Sequence, residues 1–326
     1  MKKTLTFILL FLCAASIAFW APEFWVLQIG VKSLWLAIIA MSLIFLHSKV
    51  GMTSLAQTAL GGISGYALAI ANVRMGVSIP IAIVLAVVIT MLIAAVLGLV
   101  VVRTTGIYFL MITLACGVAF HLFVSQAREL TNGHTGISGV RLPLLAGSID
   151  LNEPKYFYLT ALILFSACYL WLRSISKSAF GIALEGVRDS PLRMRSLGYN
   201  VNAYRILAFT LAGTIAAIGG VLSVWYSGRI SPGSIDVTRT VDVLVIAVIG
   251  GLFRLEGAIV GSVLFTLLSN FMNQATGRYN TAIGIVFIIV LLVAPKGLTG
   301  LIKSRSKAQI PSRPINDSNT TSTNQL

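Results

Sequence analysis

Residues 79–102 read Ile-Pro-Ile-Ala-Ile-Val-Leu-Ala-Val-Val-Ile-Thr-Met-Leu-Ile-Ala-Ala-Val-Leu-Gly-Leu-Val-Val-Val, and Arg103 ends the run. The stretch holds no charge and is apolar on every face of any helix drawn through it. At 1.5 Å per residue such a helix crosses a hydrocarbon layer of about 30 Å. A membrane barrel strand would instead alternate polar and apolar residues over about 10 positions.

The rest of the chain follows this pattern. Of 326 residues, 57% are hydrophobic and only 10% are charged, against roughly 25% charged in a soluble domain. That composition cannot cover a water-facing surface, and it sets aside a soluble enzyme, a nucleic-acid binder and a disulfide scaffold. Apolar segments recur at about Leu5–Trp20, Val26–Leu46, Met52–Ile70, Val77–Val102, Gly106–Val124, Phe157–Leu172, Ala203–Trp225, Val241–Gly251, Ala258–Phe271 and Asn280–Val293. The expected fold is an all-α polytopic membrane protein with about ten apolar segments. Val241–Gly251 is too short for a full crossing, so it reads as half of a discontinuous helix or as a re-entrant piece buried in protein.

Charge sets the orientation. With the N-terminus inside, sixteen of the 24 basic residues and four of the 10 acidic residues fall on the cytoplasmic side. This is the positive-inside pattern, and it places both termini in the cytoplasm. Lys2 and Lys3 precede Leu5–Trp20, but Ala18-Phe19-Trp20-Ala21 lacks a small-x-small cleavage pattern, so an uncleaved first span is expected. The membrane domain then covers 1–302, with an external loop at about 125–156 and a cytoplasmic loop at about 173–202. The Ser, Thr, Asn and Pro-rich tail 303–326 has little to bury and is expected to be disordered.

The enzymatic inventory is thin. The chain has no phosphate-binding loop, and His47, His121 and His134 form no ligand motif. Cys13, Cys116 and Cys168 lie inside apolar runs without metal or redox spacing. No catalytic residue, metal or cofactor is expected in this chain. Ionisable residues in the spans are few: Lys32 can snorkel, Asp242 begins the short segment near the outer interface, and Arg205 and Asp236 lie at edges. No carboxylate falls at a predicted midplane, which disfavours a proton- or sodium-driven carrier, although backbone carbonyls can bind sodium without one.

Glycines cluster. Gly61 and Gly65, Gly257 and Gly261, and the series Ala212, Ala216, Gly220 all have spacing four, which permits close helix packing in lipid. Gly250-Gly251 is the best candidate for a helix break. Polar and small residues at Ser54, Gly65, Tyr66, Thr113 and Thr240, with Gly250 and Gly251, are candidates for a solute path, or alternatively for helix packing. The cytoplasmic loop carries a short helix with Ala183, Leu184 and Val187 on one side. Ser190 and Pro191 then open a second helix that Gly198 ends. Pro191, Met194 and Leu197 recur at spacing three with Arg188, Arg193 and Arg195 around them. This two-helix element reads as a docking surface for a partner protein, or as a helix lying on anionic lipid.

Four stretches carry a family resemblance: Gly51–Tyr66; Arg103–Ala115; Leu130–Gly139; and the series from Phe180-Gly181 through Arg188-Asp189, Leu197-Gly198-Tyr199-Asn200 and Tyr204–Phe209 to Ser231-Pro232 and Val248-Ile249-Gly250-Gly251. In order and spacing the chain resembles the permease subunits of branched-chain amino acid ABC transporters, the LivM-like branch. It departs from that pattern at Ala56, at Arg188-Asp189-Ser190-Pro191 and at Phe253-Arg254. The resemblance implies a non-enzymatic subunit of a binding-protein-dependent importer in a bacterial cell membrane, the inner membrane of a Gram-negative cell. Its implied partners are a homologous second permease, two cytoplasmic ATPase subunits that hold ATP and Mg, and an extracytoplasmic solute-binding protein, with membrane lipid around it and no nucleic acid. ATPase docking is implied for Ala183, Val187, Arg188, Pro191, Arg193, Met194, Leu197 and Gly198. Related permeases carry urea or short amides, so those cargoes stand beside branched-chain amino acids, with an ion-coupled carrier as the competing class.

Overall fold

The computed structural model describes residues 22–140 and 153–276, with short pieces at 15–16, 20, 144–145, 149–150 and 284–285. Most of the expected first span Leu5–Trp20, most of the last span Asn280–Val293, Cys13 and the tail 303–326 lie outside the described residues.

The first helix, α1 (Trp25–Val50), opens with a π-helical stretch, Trp25–Val31, and continues as a regular α-helix. Its apolar residues run all round, and they are buried all round: 78% of its core window lies inside the protein. At Gly51 the backbone turns left-handed (φ +74°), where a glycine avoids the Cβ clash. The segment Gly51–Ala56 is non-helical, and from Met52 onward it is buried apart from the half-buried Thr53. The sequence pattern places a single span at Met52–Ile70; instead α2 (Gln57–Ala69), extended by a π turn to Arg74, begins only after this buried connector. Non-helical backbone is tolerated at such depth when protein satisfies it. Here the Leu55 N–H donates to the Thr113 hydroxyl at 3.1 Å, and the Ala56 N–H to the Ser54 hydroxyl at 3.2 Å.

Helices α3 (Ile79–Val101) and α4 (Ile107–Gln126) are the outermost of the long apolar helices, with 22% and 17% of their core windows buried. In α3 the buried residues are a stripe at spacing four, Ala82, Ala86, Thr90, Ala94 and Gly98, and Val101 at the helix end; in α4 the equivalent stripe is Phe109, Thr113 and Gly117. The other faces are apolar and open, as lipid-facing surface requires. After α4 come β1 (Ile137–Ser138), β2 (Leu144–Leu145) and β3 (Ile149–Asp150), the last two paired antiparallel. Helix α5 (Pro154–Lys177) leads into the short helices α6 (Ala179–Asp189) and α7 (Pro191–Ser196).

Helix α8 (Val201–Ser227) is the centre of the molecule, packing along α1, α2 and α3. Its small-residue stripe meets that of α2. A Cβ on Gly220 would lie 1.9 Å from the Gly61 carbonyl oxygen, and the Ser64 hydroxyl donates to the Ala217 carbonyl at 2.8 Å. The strand β4 (Arg229–Ile230) then pairs antiparallel with β1, Ile137 opposite Ile230. Gly136 makes this crossing possible: its φ is +72°, and a Cβ there would meet the Ile230 oxygen at 2.0 Å. The motifs at Leu130–Gly139 and Ser231-Pro232 are thereby joined at one end of the molecule, where His121 also meets the Pro232 carbonyl at 3.1 Å.

Helix α9 (Val237–Gly250) leaves this end. It stops at Gly250-Gly251, the expected break, with Gly251 at φ +109°. The turn after it reaches the opposite end: Phe253 packs edge-on against His47 near the end of α1, and Glu256 accepts from the Tyr169 hydroxyl at 2.9 Å near the end of α5. Helix α10 (Gly257–Thr276) returns, and Asn270 donates to the Gln28 carbonyl at the start of α1. The 14 residues of α9 thus run between the two ends of the fold. Close contact holds α9 to α10, since a Cβ on Gly250 would meet the Gly257 oxygen at 1.9 Å and one on Gly261 the Ile246 oxygen at 2.1 Å. The chain is an all-α, multi-pass membrane protein, and among the described residues five helices are clearly long and apolar enough to cross: α1, α3, α4, α5 and α8.

Candidate functional site

Lys49, Arg103, Arg173 and Lys177 gather at one end of the bundle, and the α6–α7 element sits there. The Ser178 hydroxyl caps α6 by accepting from the Gly181 N–H at 3.4 Å. Gly181 allows the sharp entry, because a Cβ there would lie 2.4 Å from the Ile175 oxygen. Ser190 holds the N-cap position of α7 and Pro191 its first helical position; the Ser190 side chain makes no capping bond. Gly198 ends the element at φ +87°.

The apolar side of α6 faces the bundle. Ala183, Leu184 and Val187 are buried, Val187 completely. Lys49 of α1 pairs with Glu185, and the Arg188 guanidinium donates to the Ser48 carbonyl while its Nε bonds Asp189 at 2.8 Å. Phe180 stacks on Tyr204 of α8 with centroids 5.4 Å apart. Met194 is half-buried against Gly186. Ala183 and Val187, placed on the docking face from the sequence, therefore hold α6 to its own chain, and Arg188 is engaged with α1. The surface left open on the element includes Ile182, Leu192, Arg193, Arg195, Leu197 and Gly198, with the outer faces of Arg188 and Asp189; Leu192 is 76% exposed and Leu197 72%. Pro191 is half-buried at the base of α7. Two exposed leucines beside arginines form a surface suited to a protein partner with apolar and acidic groups.

The candidate path residues are buried within this chain and divide into four places. Ser54 and Thr113 meet at the buried connector. Gly65 and Tyr66 lie further along α2: a Cβ on Gly65 would meet Ile230 at 2.5 Å and Val224 at 2.7 Å, and the Tyr66 ring is edge-on to Phe120. The buried Tyr66 hydroxyl has no partner among the described residues. Thr240 is buried on α9, its hydroxyl 3.4 Å from the Asp236 carbonyl. Gly250 and Gly251 form the α9 break and pack on α10.

Residues 25–295 match the family model described as the branched-chain amino acid transport system permease component. The chain belongs to this permease family. The permease is 25% identical over 287 residues to the high-affinity branched-chain amino acid transport system permease protein LivM of Salmonella typhimurium, covering 80% of this chain and 68% of that one. It is 25% identical to LivM of Escherichia coli K12 over 291 residues, with the same coverage. A shorter match, 32% over 121 residues, covers 35% of the permease and 34% of the autoinducer 2 import system permease protein LsrC of Escherichia coli O9:H4. No solved structure matches. The family is one of transport permeases rather than enzymes, and among the described residues no group of three His, Cys, Asp or Glu could hold a metal ion.

The sequence reading missed one constellation. Lys32, Arg239 and Asp242 converge where α1 meets α9: Arg239 pairs with Asp242 at 3.5 Å, and Lys32 lies within electrostatic reach of both. The spacing of Arg239 and Asp242 by three residues on one helix was visible. Their meeting with Lys32 depends on the packing of α9 against α1, which no local pattern encodes.

Proposed function

We propose that this permease imports branched-chain amino acids as one of two paired permeases, driven by two ATPase subunits at its basic end and supplied by a solute-binding protein at the other. The observation that carries this reading is the α6–α7 element. Its inner side is tied to α1 by Lys49, Arg188 and the buried Val187, while Ile182, Leu192 and Leu197 remain open beside Arg193. An element anchored on one side and unpartnered on the other acts as a lever: a rigid-body movement of the docked ATPases is passed to α1, α5 and α8. The family description and the LivM relatives support the cargo.

In this reading the basic end is cytoplasmic, both termini lie there, and ten apolar segments cross, with α9 and α10 as two passes. ATP and its magnesium belong to the ATPase subunits. Access alternates as α9 and the buried connector rearrange around a solute path drawn from Ser54, Gly65, Tyr66, Thr113 and Thr240. Glycines at Gly250 and Gly251 let the α9–α10 turn move without side-chain collision.

The test is reconstitution of the complex in proteoliposomes, with radiolabelled leucine, urea or acetamide and with binding protein present or absent. Leucine uptake that requires ATP and binding protein is the expected result. Uptake of urea or acetamide alone would keep the architecture and change the cargo, and gradient-driven leucine uptake without ATPase subunits would overturn the reading.

A further inference from the structure

At the end opposite α6–α7, helices α1, α2, α8 and α9 leave a narrow cleft that opens at the surface. Its polar lining is Trp35, Thr58, Ser223, Arg229, Ser234 and Arg239, and no carboxylate lines it among the described residues. Every one of those side chains can donate a hydrogen bond, and the indole and the two guanidiniums can do nothing else. The Trp35 indole N–H is buried and has no acceptor among the described residues.

The charges agree. Arg229 has no ion-pair partner among the described residues; the acids beside the cleft are Asp242, paired with Arg239 at 3.5 Å, and Asp236, whose carboxylate accepts from the Val237 N–H at the start of α9. Lys32, one turn before Trp35, adds a further positive charge within reach of that pair. Lys32, Arg229 and Arg239 against Asp236 and Asp242 leave the cleft positive. The remaining wall is aliphatic, with Leu36, Ile39 and Val243 beside the indole. Gly61, Gly62 and Gly220 form the floor. Their Cβ positions are crowded by α1, α2, α8 and, at Gly62, by Ile235 in the turn before α9, so the cleft is a gap between close-packed elements rather than space left by missing side chains.

We infer that this cleft binds a small aliphatic carboxylate, with Arg229 and Arg239 donating to the carboxylate and the hydrocarbon lying on Ile39, Val243 and the Trp35 ring. Under the amino acid import proposed above, on which this step rests for the identity of the cargo, it is where substrate carboxylate is first held within the permease.

The test uses the full chain assembled with its partner subunits in lipid nanodiscs and labelled with 5-fluorotryptophan. The chain has five tryptophans, and the Trp35 line is assigned by its loss in Trp35→Phe. Titration with 4-methylpentanoate is expected to move the Trp35 fluorine line, while 4-methylpentanamide, equal in shape but uncharged, leaves it in place. Arg229→Gln with Arg239→Gln should weaken the carboxylate response at least tenfold, and Arg239→Lys alone should keep part of it. Equal responses to acid and amide, or no response to the acid, would overturn the site. If the glutamine variant loses its fold, seen in the other fluorine lines, the acid–amide comparison on the unsubstituted protein decides. A carboxylate response in a complex that does not import leucine would uphold the site and overturn the cargo.

Discussion

At Gly220 the backbones of α2 and α8 are in direct contact. A Cβ there would sit 1.9 Å from the Gly61 oxygen and 2.4 Å from the Ser64 hydroxyl, and backbone cannot give way as the end of a side chain can. Gly98 is the useful contrast, since a Cβ there finds its nearest atoms at 3.5 Å, on Ile206 and Phe209. Gly220→Ala should therefore cost about 1–3 kcal/mol through forced separation of the helices. Gly98→Ala should be neutral or slightly stabilising, because alanine is the better helix former by about 1 kcal/mol. Thermal unfolding of the purified protein in detergent separates the two; equal midpoints would contradict the packing described. This contact was legible in the sequence, because small residues at spacing four occur on both helices. The buried stripe of α3 was not: Ala82, Ala86, Ala94 and Gly98 sit in a run so uniformly apolar that no face stands out.

At the scale of elements, α6 illustrates what an amphipathic pattern contains and what it lacks. The apolar side through Ala183, Leu184 and Val187 was readable, and so were the start at Pro191 and the end at Gly198. Which way the apolar side points was not, because a helix at the surface of a membrane protein can turn it to a partner, to lipid or to its own chain. The structure turns it inward, and Val187 is fully buried. Val187→Asp should thus bury an unpaired carboxylate, costing ~2 kcal/mol or more, and lower both the unfolding midpoint and the yield of folded chain. Leu192→Asp, on the open side, should change stability by no more than about 0.5 kcal/mol. The same limit explains the connector Gly51–Ala56: Met52, Leu55 and Ala56 run on into the apolar residues of α2, so composition assigned Met52–Ala56 to its helix. Only the pairing of Leu55 with Thr113 on another helix reveals how non-helical backbone survives there.

Across the whole molecule, α8 joins the two functional ends. It begins beside α6 and α7, where Tyr204 stacks on Phe180, and it ends at β4, whose Arg229 lines the cleft at the far end. Helix α1 has the same reach, from Trp35 at the cleft to Lys49 at α6. Coupling between ends requires two global states that both sites bias, and these two buried, rigid helices are the elements able to transmit the difference. The measurement that tests this most directly is the number of leucine molecules imported per ATP hydrolysed in proteoliposomes, compared between the unsubstituted complex and Leu192→Asp with Leu197→Asp. The account predicts that the substituted complex assembles and stays folded while leucine import falls at least tenfold for each ATP consumed. An unchanged ratio at normal uptake would contradict it.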